Sequence, residues 1–256
     1  MVLAADGWPG WPVLLWVTLA MAGARTLAMS VNRLADRFID AANPRTAKRH
    51  LPTGLLTPGQ VTAAAAVSAA LLVFSAFMLN PLCLMLSPLA VLFLVGYSYT
   101  KRFTWLSHWI LGFTDGIAAA GGWIAVRAAF DPPVYVLWLA LTVWIAGFDL
   151  IYACQDVEFD RRNGLHSVPA RFGIAAALTT ARVCHLLTIA AFALLGWMMG
   201  LGPLYWPGVA AAAGLLVYEH SLISPRDLSK LDVAFFNVNG YISLILFFAV
   251  IGGRLA

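Results

Sequence analysis

Charged residues are scarce in this chain: only 11% of its 256 residues are Asp, Glu, Lys or Arg, while 61% are hydrophobic. A soluble globular domain carries about 25% charged residues, so the composition argues against that class. The apolar residues occur in runs, and a run of about 20 is long enough to cross a bilayer. The composition therefore predicts an all-α membrane protein, a polytopic transmembrane helix bundle in a lipid bilayer.

Basic surfaces and paired cysteines are also lacking. The net charge of +4 is not gathered on the basic face of a soluble domain, so no nucleic-acid partner is expected. The cysteines Cys83, Cys154 and Cys184 show neither metal nor disulfide spacing, and their apolar surroundings are typical of buried thiols. The first residues contain no basic segment, so we expect no cleavable signal peptide.

Eight apolar segments are predicted to span the membrane, and turn signals such as Asn80-Pro81 and Asp131-Pro132 separate them. We expect a single domain over 1–256 with a weak internal repeat of 11–130 and 131–256, because an acidic pair closes one span in each half. The predicted spans are 11–35, 58–79, 82–100, 105–127, 133–154, 173–199, 204–222 and 233–253.

Lys and Arg in the loops predict the orientation, because cytoplasmic loops are enriched in these residues. One set of loops contains only Arg127 and Arg254. The other set includes the long polar loops 36–57 and 155–172, and we assign it to the cytoplasmic side. Its basic residues are Arg37, Arg45, Lys48, Arg49, Lys101, Arg102, Arg161, Arg162, Arg171, Arg226 and Lys230.

The first acidic motif consists of Asn32, Asp36 and Asp40, which are spaced four residues apart and so share one helical face. Hard oxygen ligands of this kind suit Mg²⁺, which keeps several waters and binds through carboxylates and substrate phosphates. For an isolated Asp-x-x-x-Asp pair, a solvated helix end is the commoner interpretation. The motif therefore indicates a metal site only in combination with the other motifs.

The second acidic motif repeats this spacing in Asp156 and Asp160. Asp149 precedes Asp156 by seven residues, which places it about 20° away around an α-helix and deeper in the membrane on the same face. A carboxylate inside a membrane is costly and indicates function by default. The alternative for Asp149 is a structural ion pair within the bundle.

Two further polar features lie at or inside predicted spans. Tyr97 and Lys101 are four residues apart, and a phenol beside an ammonium suits diphosphate oxygens, although Tyr and Lys are also ordinary interfacial anchors. Arg25 lies within an apolar span and needs an anion, which is either Asp149 or a substrate carboxylate.

Together these motifs indicate an enzyme that handles a polyprenyl diphosphate. Two acidic clusters on one face would bind two Mg²⁺ ions and bridge a diphosphate, whose departure leaves an allylic cation for an electron-rich ring to attack. A membrane transporter is the alternative of another class, since buried charges also line ion pathways, but here the carboxylates gather at one face. A CDP-alcohol phosphotransferase is disfavoured because Asp115-Gly116 lacks the Ala-Arg that its signature requires.

These motifs resemble those of the UbiA-type intramembrane prenyltransferases, and the resemblance covers nearly the whole chain from Trp11. The residues are most similar to those of a bacterial subgroup described as 4-hydroxybenzoate polyprenyltransferase-like, notably in Gln155-Asp156-x-Glu158-Phe159-Asp160. This subgroup implies a protein of the bacterial inner membrane. The matching stretches are Asn32-x-x-x-Asp36-x-x-x-Asp40, Asn43-Pro44-Arg45-Thr46, Arg49-His50-Leu51-Pro52-Thr53-Gly54, Tyr97-x-x-x-Lys101, Asp156-x-x-x-Asp160 and Gly164-Leu165-His166-Ser167-Val168-Pro169-Ala170-Arg171-Phe172-Gly173.

The resemblance implies Mg²⁺-dependent transfer of a polyprenyl group to an aromatic hydroxy-carboxylic acid of the 4-hydroxybenzoate type, in ubiquinone or menaquinone biosynthesis. The alternative acceptor is a dihydroxynaphthoate of the futalosine menaquinone route, and Arg25 does not separate the two because both carry a carboxylate. The implied metal ligands are Asn32, Asp36, Asp40, Asp156 and Asp160. These aspartates and Asp149 are the expected catalytic residues, and the expected substrate contacts are Arg25, Tyr97, Lys101, Arg45, Arg49 and Tyr152.

One departure from the family pattern concerns the first span. The family has nine spans, and its first acidic motif follows the second of them, whereas here the motif follows the first. We therefore expect one N-terminal helix of the family pattern to be missing, which would open a wall of the cavity. We also expect structural roles for His108 and His185, and solvated side chains for Glu219 and His220.

Overall fold

The computed structural model describes residues 1–255, and that part of the chain contains helices and no β-strand. The expectation of an all-α protein is thereby confirmed. The α-helices are α1 (Val2–Ala5), α2 (Trp11–Ala35), α3 (Arg37–Ala42), α4 (Pro58–Leu79), α5 (Pro81–Gly96), α6 (Ser107–Arg127), α7 (Pro132–Ala153), α8 (Val157–Arg162), α9 (Val168–Phe172), α10 (Ile174–Met198), α11 (Tyr205–Ser221) and α12 (Asn239–Leu255).

Seven helical segments are long and apolar enough to cross a membrane, which makes this a multi-pass membrane protein. The remaining predicted span, 204–222, corresponds to α11, which has 17 residues. The helix type changes within some predicted spans. α5 continues as a 3₁₀ turn at Tyr97–Arg102, and a π-helical turn at Val233–Val238 precedes α12. The seven segments are Trp11–Ala35, Pro58–Leu79, Pro81–Arg102, Ser107–Arg127, Pro132–Arg162, Ile174–Met198 and Val233–Leu255.

Caps and prolines set where the central helices begin. Thr57 and Gln60 form a reciprocal capping box at the start of α4, with Pro58 in the first turn. Asn80 lies between α4 and α5, where its Oδ1 accepts a hydrogen bond from the Cys83 amide at 2.9 Å. The Asn80 amide also donates to the Ile124 carbonyl at 2.9 Å, so the same residue ties this turn to the end of α6.

Close helix contacts require glycine at two positions. A Cβ atom on Gly23 would lie 2.8 Å from the Ser68 carbonyl oxygen, where α2 packs on α4. A Cβ atom on Gly112 would overlap the Thr142 carbonyl oxygen, where α6 packs on α7. Small residues of this kind let membrane helices approach closely. The close α6–α7 pair brings His108 and Asp149 within reach of each other.

Candidate active site

The first acidic motif straddles a break in the helix. α2 ends at Ala35, Asp36 lies between α2 and α3, and Asp40 lies in α3. The Asp36 amide donates to the Asn32 carbonyl at 2.9 Å, and the Asp40 amide donates to the Asp36 carbonyl at 2.7 Å. Helix-like hydrogen bonds therefore continue across the break. Both aspartates are buried, and Asn32 is half-buried.

Asp36 is held by two basic side chains of the 3₁₀ turn. Lys101 Nζ lies 2.6 Å from Asp36 Oδ2, and Arg102 Nη2 lies 2.9 Å from Asp36 Oδ1. A buried carboxylate needs such partners, because an unpaired ion inside a protein is costly. The residue predicted to contact diphosphate, Lys101, is therefore paired with a residue predicted to bind metal.

One carboxylate oxygen of Asp40 accepts a short hydrogen bond, and the other accepts none from the described residues. Arg49 Nη1 donates to Asp40 Oδ1 at 2.7 Å, while Arg33 Nη1 lies 3.9 Å from Asp40 Oδ2. Asp40 Oδ2 is buried and accepts no hydrogen bond from any residue between 1 and 255. A buried carboxylate oxygen without a donor is costly to maintain, and it is a ready ligand for a cation.

Asp156 joins the second acidic motif to the first loop. Its carboxylate accepts two hydrogen bonds from the Arg45 guanidinium and one from the Asn43 amide at 3.0 Å. Arg45 also donates to the Tyr152 hydroxyl at 2.9 Å, and the Tyr152 ring packs on Phe235 of the π-helical turn. Burial lowers the pKa of Arg45, but the hydrogen bonds and charge of Asp156 raise that pKa overall.

Asp160 is fixed by the segment that follows it. The Ser167 hydroxyl donates to Asp160 Oδ2 at 3.0 Å, and the His166 amide donates to the Lys101 carbonyl at 2.7 Å. The two acidic loops and the 3₁₀ turn therefore meet at one end of the bundle. Residues that are remote in sequence, Asp36, Lys101 and Asp160, belong to one polar assembly.

A second polar region, which we call the inner chamber, comprises Arg25, Tyr97, Asp115 and Asp149. Arg25 and Asp115 lie in the middle of α2 and α6, yet both side chains are exposed. Asp115 is within electrostatic range of Arg25 and Asp149, and Tyr97 is within range of both aspartates. The four side chains are therefore grouped in one region of the bundle.

The pairing of Arg25 was left open by the sequence. No acidic side chain in the described part of the chain lies within 4.0 Å of its guanidinium. Asp149 instead lies 2.7 Å from the Nδ1 atom of His108. Of the two anions considered for Arg25, the Asp149 carboxylate is thus not its ion-pair partner in the structure.

Sequence reasoning missed two residues of this region. His108 was expected to be structural, and Asp115 was considered only as part of a different signature. They are seven residues apart on α6, which places them on nearly the same helical face. An aspartate within an apolar span was the available signal, because such residues are rare unless functional.

The expectation of solvated side chains at the end of α11 was wrong for Glu219. Glu219 is 0% exposed and accepts a hydrogen bond from Asn239 Nδ2 at 3.2 Å. His220 Nε2 lies 3.0 Å from His185 Nδ1, so these residues form a polar cluster between α10, α11 and α12. The chain folds back over the end of α11, which its sequence alone does not reveal.

The donor set at the loop end fits Mg²⁺. Residues 1–255 contain no group of three His, Cys, Asp or Glu side chains in a metal-ligating arrangement. Mg²⁺ does not need one, since it is usually held by one or two carboxylates together with substrate phosphates and waters. The free oxygen of Asp40 and the surrounding carboxylates supply the hard oxygen ligands that this ion prefers.

Comparison with known proteins gives consistent matches. Residues 1–245 match the model of the UbiA prenyltransferase family. A 4-hydroxybenzoate octaprenyltransferase from Aliivibrio fischeri is 30% identical over 250 residues, which cover 98% of this chain and 87% of that protein. One from Saccharophagus degradans is 32% identical over 99% of this chain and 84% of its own length.

Solved structures resemble the whole bundle. The apo structure of a UbiA homolog from Aeropyrum pernix K1 has a TM-score of 0.89 and 30% identity, covering 98% of this chain and 92% of that one. A UbiA homolog from Archaeoglobus fulgidus bound to GPP and Mg²⁺ has a TM-score of 0.74 and 20% identity, covering 99% of this chain and 92% of that one. The second likeness concerns the fold alone.

Proposed function

Because the chain belongs to the UbiA prenyltransferase family and is thus a prenyl-transferring membrane enzyme, we propose that it transfers a polyprenyl group from polyprenyl diphosphate to 4-hydroxybenzoate, in quinone biosynthesis. The observation that carries this proposal is the meeting of both acidic motifs at one end of the bundle. Arg45 and Asn43 of the first loop donate hydrogen bonds to Asp156 of the second loop. The two clusters of carboxylates and their cations therefore form one site.

Mg²⁺ is the proposed cofactor, held by Asp36, Asp40, Asp156 and Asp160 together with Asn32. Bound Mg²⁺ neutralises charge on a diphosphate and so makes it a better leaving group. Three of these aspartates are paired with basic side chains in the structure. The same cations can bind phosphate oxygens when a diphosphate is present, because guanidinium and ammonium groups suit both kinds of anion. These cations are Arg45, Arg49, Lys101 and Arg102.

The inner chamber is the proposed acceptor site. Arg25 binds the acceptor carboxylate, since the chamber is polar and its guanidinium has no ion-pair partner among the described residues. The acceptor ring then forms a carbon–carbon bond to C1 of the prenyl group as the bond from C1 to the diphosphate oxygen breaks. The ring C–H bond breaks next, its electron pair restores the aromatic ring, and Asp149 receives the proton.

A dihydroxynaphthoate is the second candidate acceptor, and Asp115 is the observation in its favour. Two carboxylates, Asp115 and Asp149, lie in the chamber with Arg25. An acceptor with one carboxylate and two ring hydroxyls offers a donor to each aspartate. 4-Hydroxybenzoate has a single hydroxyl and leaves one aspartate without a donor.

The experiment is transfer of radiolabelled polyprenyl diphosphate in membranes that contain the protein, with 4-hydroxybenzoate and a dihydroxynaphthoate in parallel. We expect product that disappears when EDTA removes Mg²⁺ and returns when Mg²⁺ is restored. Product from 4-hydroxybenzoate supports the first candidate, and product from the naphthoate alone supports the second. If membranes that contain the folded protein and Mg²⁺ form no product from either acceptor, the result counts against the proposal.

A matched pair of variants tests whether the acidic site carries the reaction. Asp36→Ala should abolish transfer, because it removes a buried carboxylate from the proposed metal site. Asp232→Ala should not, because Asp232 is exposed and lies outside the polar assembly. Activity of Asp36→Ala within about threefold of the wild type would contradict the assignment.

A further inference from the structure

His108 and Asp149 form a side-chain pair that links α6 to α7. His108 Nδ1 lies 2.7 Å from Asp149 Oδ2, and the imidazole is only 3% exposed. The Asp149 side chain is about one quarter exposed. Asp149 Oδ1 accepts no hydrogen bond from the described residues, so one carboxylate oxygen is held and the other is free.

The backbone of Val168 determines where the His108 proton lies. The Val168 amide donates a hydrogen bond to His108 Nε2 at 3.2 Å. An amide N–H can only donate, so Nε2 must present its lone pair, and the ring proton is on Nδ1. His108 therefore donates to Asp149, and the imidazole is neutral in this arrangement.

The residue before Val168 acts on the other end of the site. The Ser167 hydroxyl binds Asp160 at 3.0 Å and also caps α9 by accepting from the Ala170 amide. Ser167 thus fixes Asp160 of the acidic site, and Val168, through His108, fixes Asp149 of the inner chamber. The His166 amide, bound to the Lys101 carbonyl at 2.7 Å, fixes this turn against the bundle.

We propose that His108 is a positioning residue for Asp149, with its proton fixed on Nδ1 by the Val168 amide. By holding Oδ2, it orients Oδ1 toward the acceptor ring, whose C–H proton Oδ1 receives. The inference rests on the proposed function, in which Asp149 is the base. It assigns a role to a histidine and a backbone amide that the acidic motifs do not include.

Two substitutions of His108 distinguish positioning from packing. Asn carries an amide nitrogen at the position of Nδ1, whereas Gln carries it at the position of Nε2. We expect His108→Asn to keep kcat within about threefold of the wild type and His108→Gln to lower kcat roughly tenfold to a hundredfold, with KM for the prenyl diphosphate unchanged. Equal losses in the two variants, or a change confined to that KM, would overturn the proposal.

A backbone substitution tests the amide itself. Val168→Pro removes the N–H at the first position of α9, where proline is tolerated, and the extended Ser167 before it (φ −142°, ψ 160°) suits a following proline. Val168→Ala keeps the amide and measures the effect of the lost side-chain packing. We expect kcat to fall further in Val168→Pro than in Val168→Ala; equal values would contradict the role of the amide.

Nitrogen NMR of histidine-labelled protein in detergent gives a readout that does not depend on turnover. We expect the His108 signals to show protonated Nδ1 and unprotonated Nε2 in the wild type and a mixture of tautomers in Val168→Pro. Protonated Nε2 in the wild type would refute the inference. If the wild type transfers no prenyl group yet shows this tautomer, the proposed function fails while the pairing stands.

Discussion

Arg25 is a charged side chain in the middle of an apolar helix, and its surroundings explain how it is tolerated there. Its guanidinium is within electrostatic range of Asp115, which is itself within range of Asp149 and Tyr97 in the inner chamber. A lone arginine in hydrocarbon is costly, whereas one facing a polar chamber is not. The free guanidinium thus suits a ligand anion.

Substitution of Arg25 tests its role in acceptor binding. Arg25→Gln should raise KM for a carboxylated acceptor roughly tenfold to a hundredfold, since a hydrogen bond to a charged group contributes about 1.5–3 kcal/mol. KM for the polyprenyl diphosphate should stay near the wild-type value. The measurement is initial-rate kinetics with each substrate varied in turn.

Arg182→Gln is the matched control, because Arg182 is an exposed arginine of α10 outside the inner chamber. It should leave both KM values near those of the wild type. If Arg25→Gln raises the KM for both substrates equally, its guanidinium does not bind the acceptor carboxylate.

At the scale of helices, the α6–α7 contact determines whether His108 reaches Asp149. Gly112 lies one turn after His108, and its Cα packs against the α7 backbone at Thr142. The π-helical turn before α12 has a comparable role near Asp156, because its Phe235 packs against Tyr152 at a ring-centroid distance of 4.3 Å. Short irregular helical turns often lie near functional sites.

The α6–α7 contact predicts the effect of a single methyl group. Gly112→Ala should lower the free energy of unfolding by about 1–3 kcal/mol, because the added Cβ overlaps the Thr142 carbonyl and forces the helices apart. Thermal unfolding in detergent measures this change. Prenyl transfer should fall as well, since the same displacement separates His108 from Asp149.

Gly121→Ala on the same helix is the control, because a Cβ there has no neighbour within 4 Å. Its unfolding temperature should equal or exceed that of the wild type, since alanine favours helix more than glycine does. A Gly112→Ala protein as stable as Gly121→Ala would show that α6 and α7 do not pack this closely.

For the whole molecule, the distribution of basic residues predicts that both acidic loops face the cytoplasm of a bacterial inner membrane. Single cysteines test this in a chain whose native cysteines are changed to alanine. A membrane-impermeant maleimide added to intact cells should label Arg127→Cys and not Lys48→Cys, because both sites are exposed but lie on opposite sides. Labelling of Lys48→Cys alone would reverse the orientation.

The sequence also predicts a weak internal repeat, and this stays a prediction. The repeat rests on the acidic pairs Asp36/Asp40 and Asp156/Asp160, which close one span in each half.

The sequence by itself determined the membrane bundle, most span boundaries and the two acidic motifs. Bilayer thickness, helix periodicity and the interruption of helices by proline are local constraints, and each leaves a pattern in consecutive residues. Spacing also indicated that Asn32, Asp36 and Asp40 act together, because residues four apart lie together on a helix.

Only the tertiary structure decided which remote residues are partners. The two members of each such pair are far apart in sequence, so no spacing rule relates them. The pairs are Lys101 with Asp36, Arg45 with Asp156 and His108 with Asp149. The buried position of Glu219 depends on the chain after α11 folding back over it. These pairings follow from how whole helices pack, and helix packing depends on all the contacting surfaces at once.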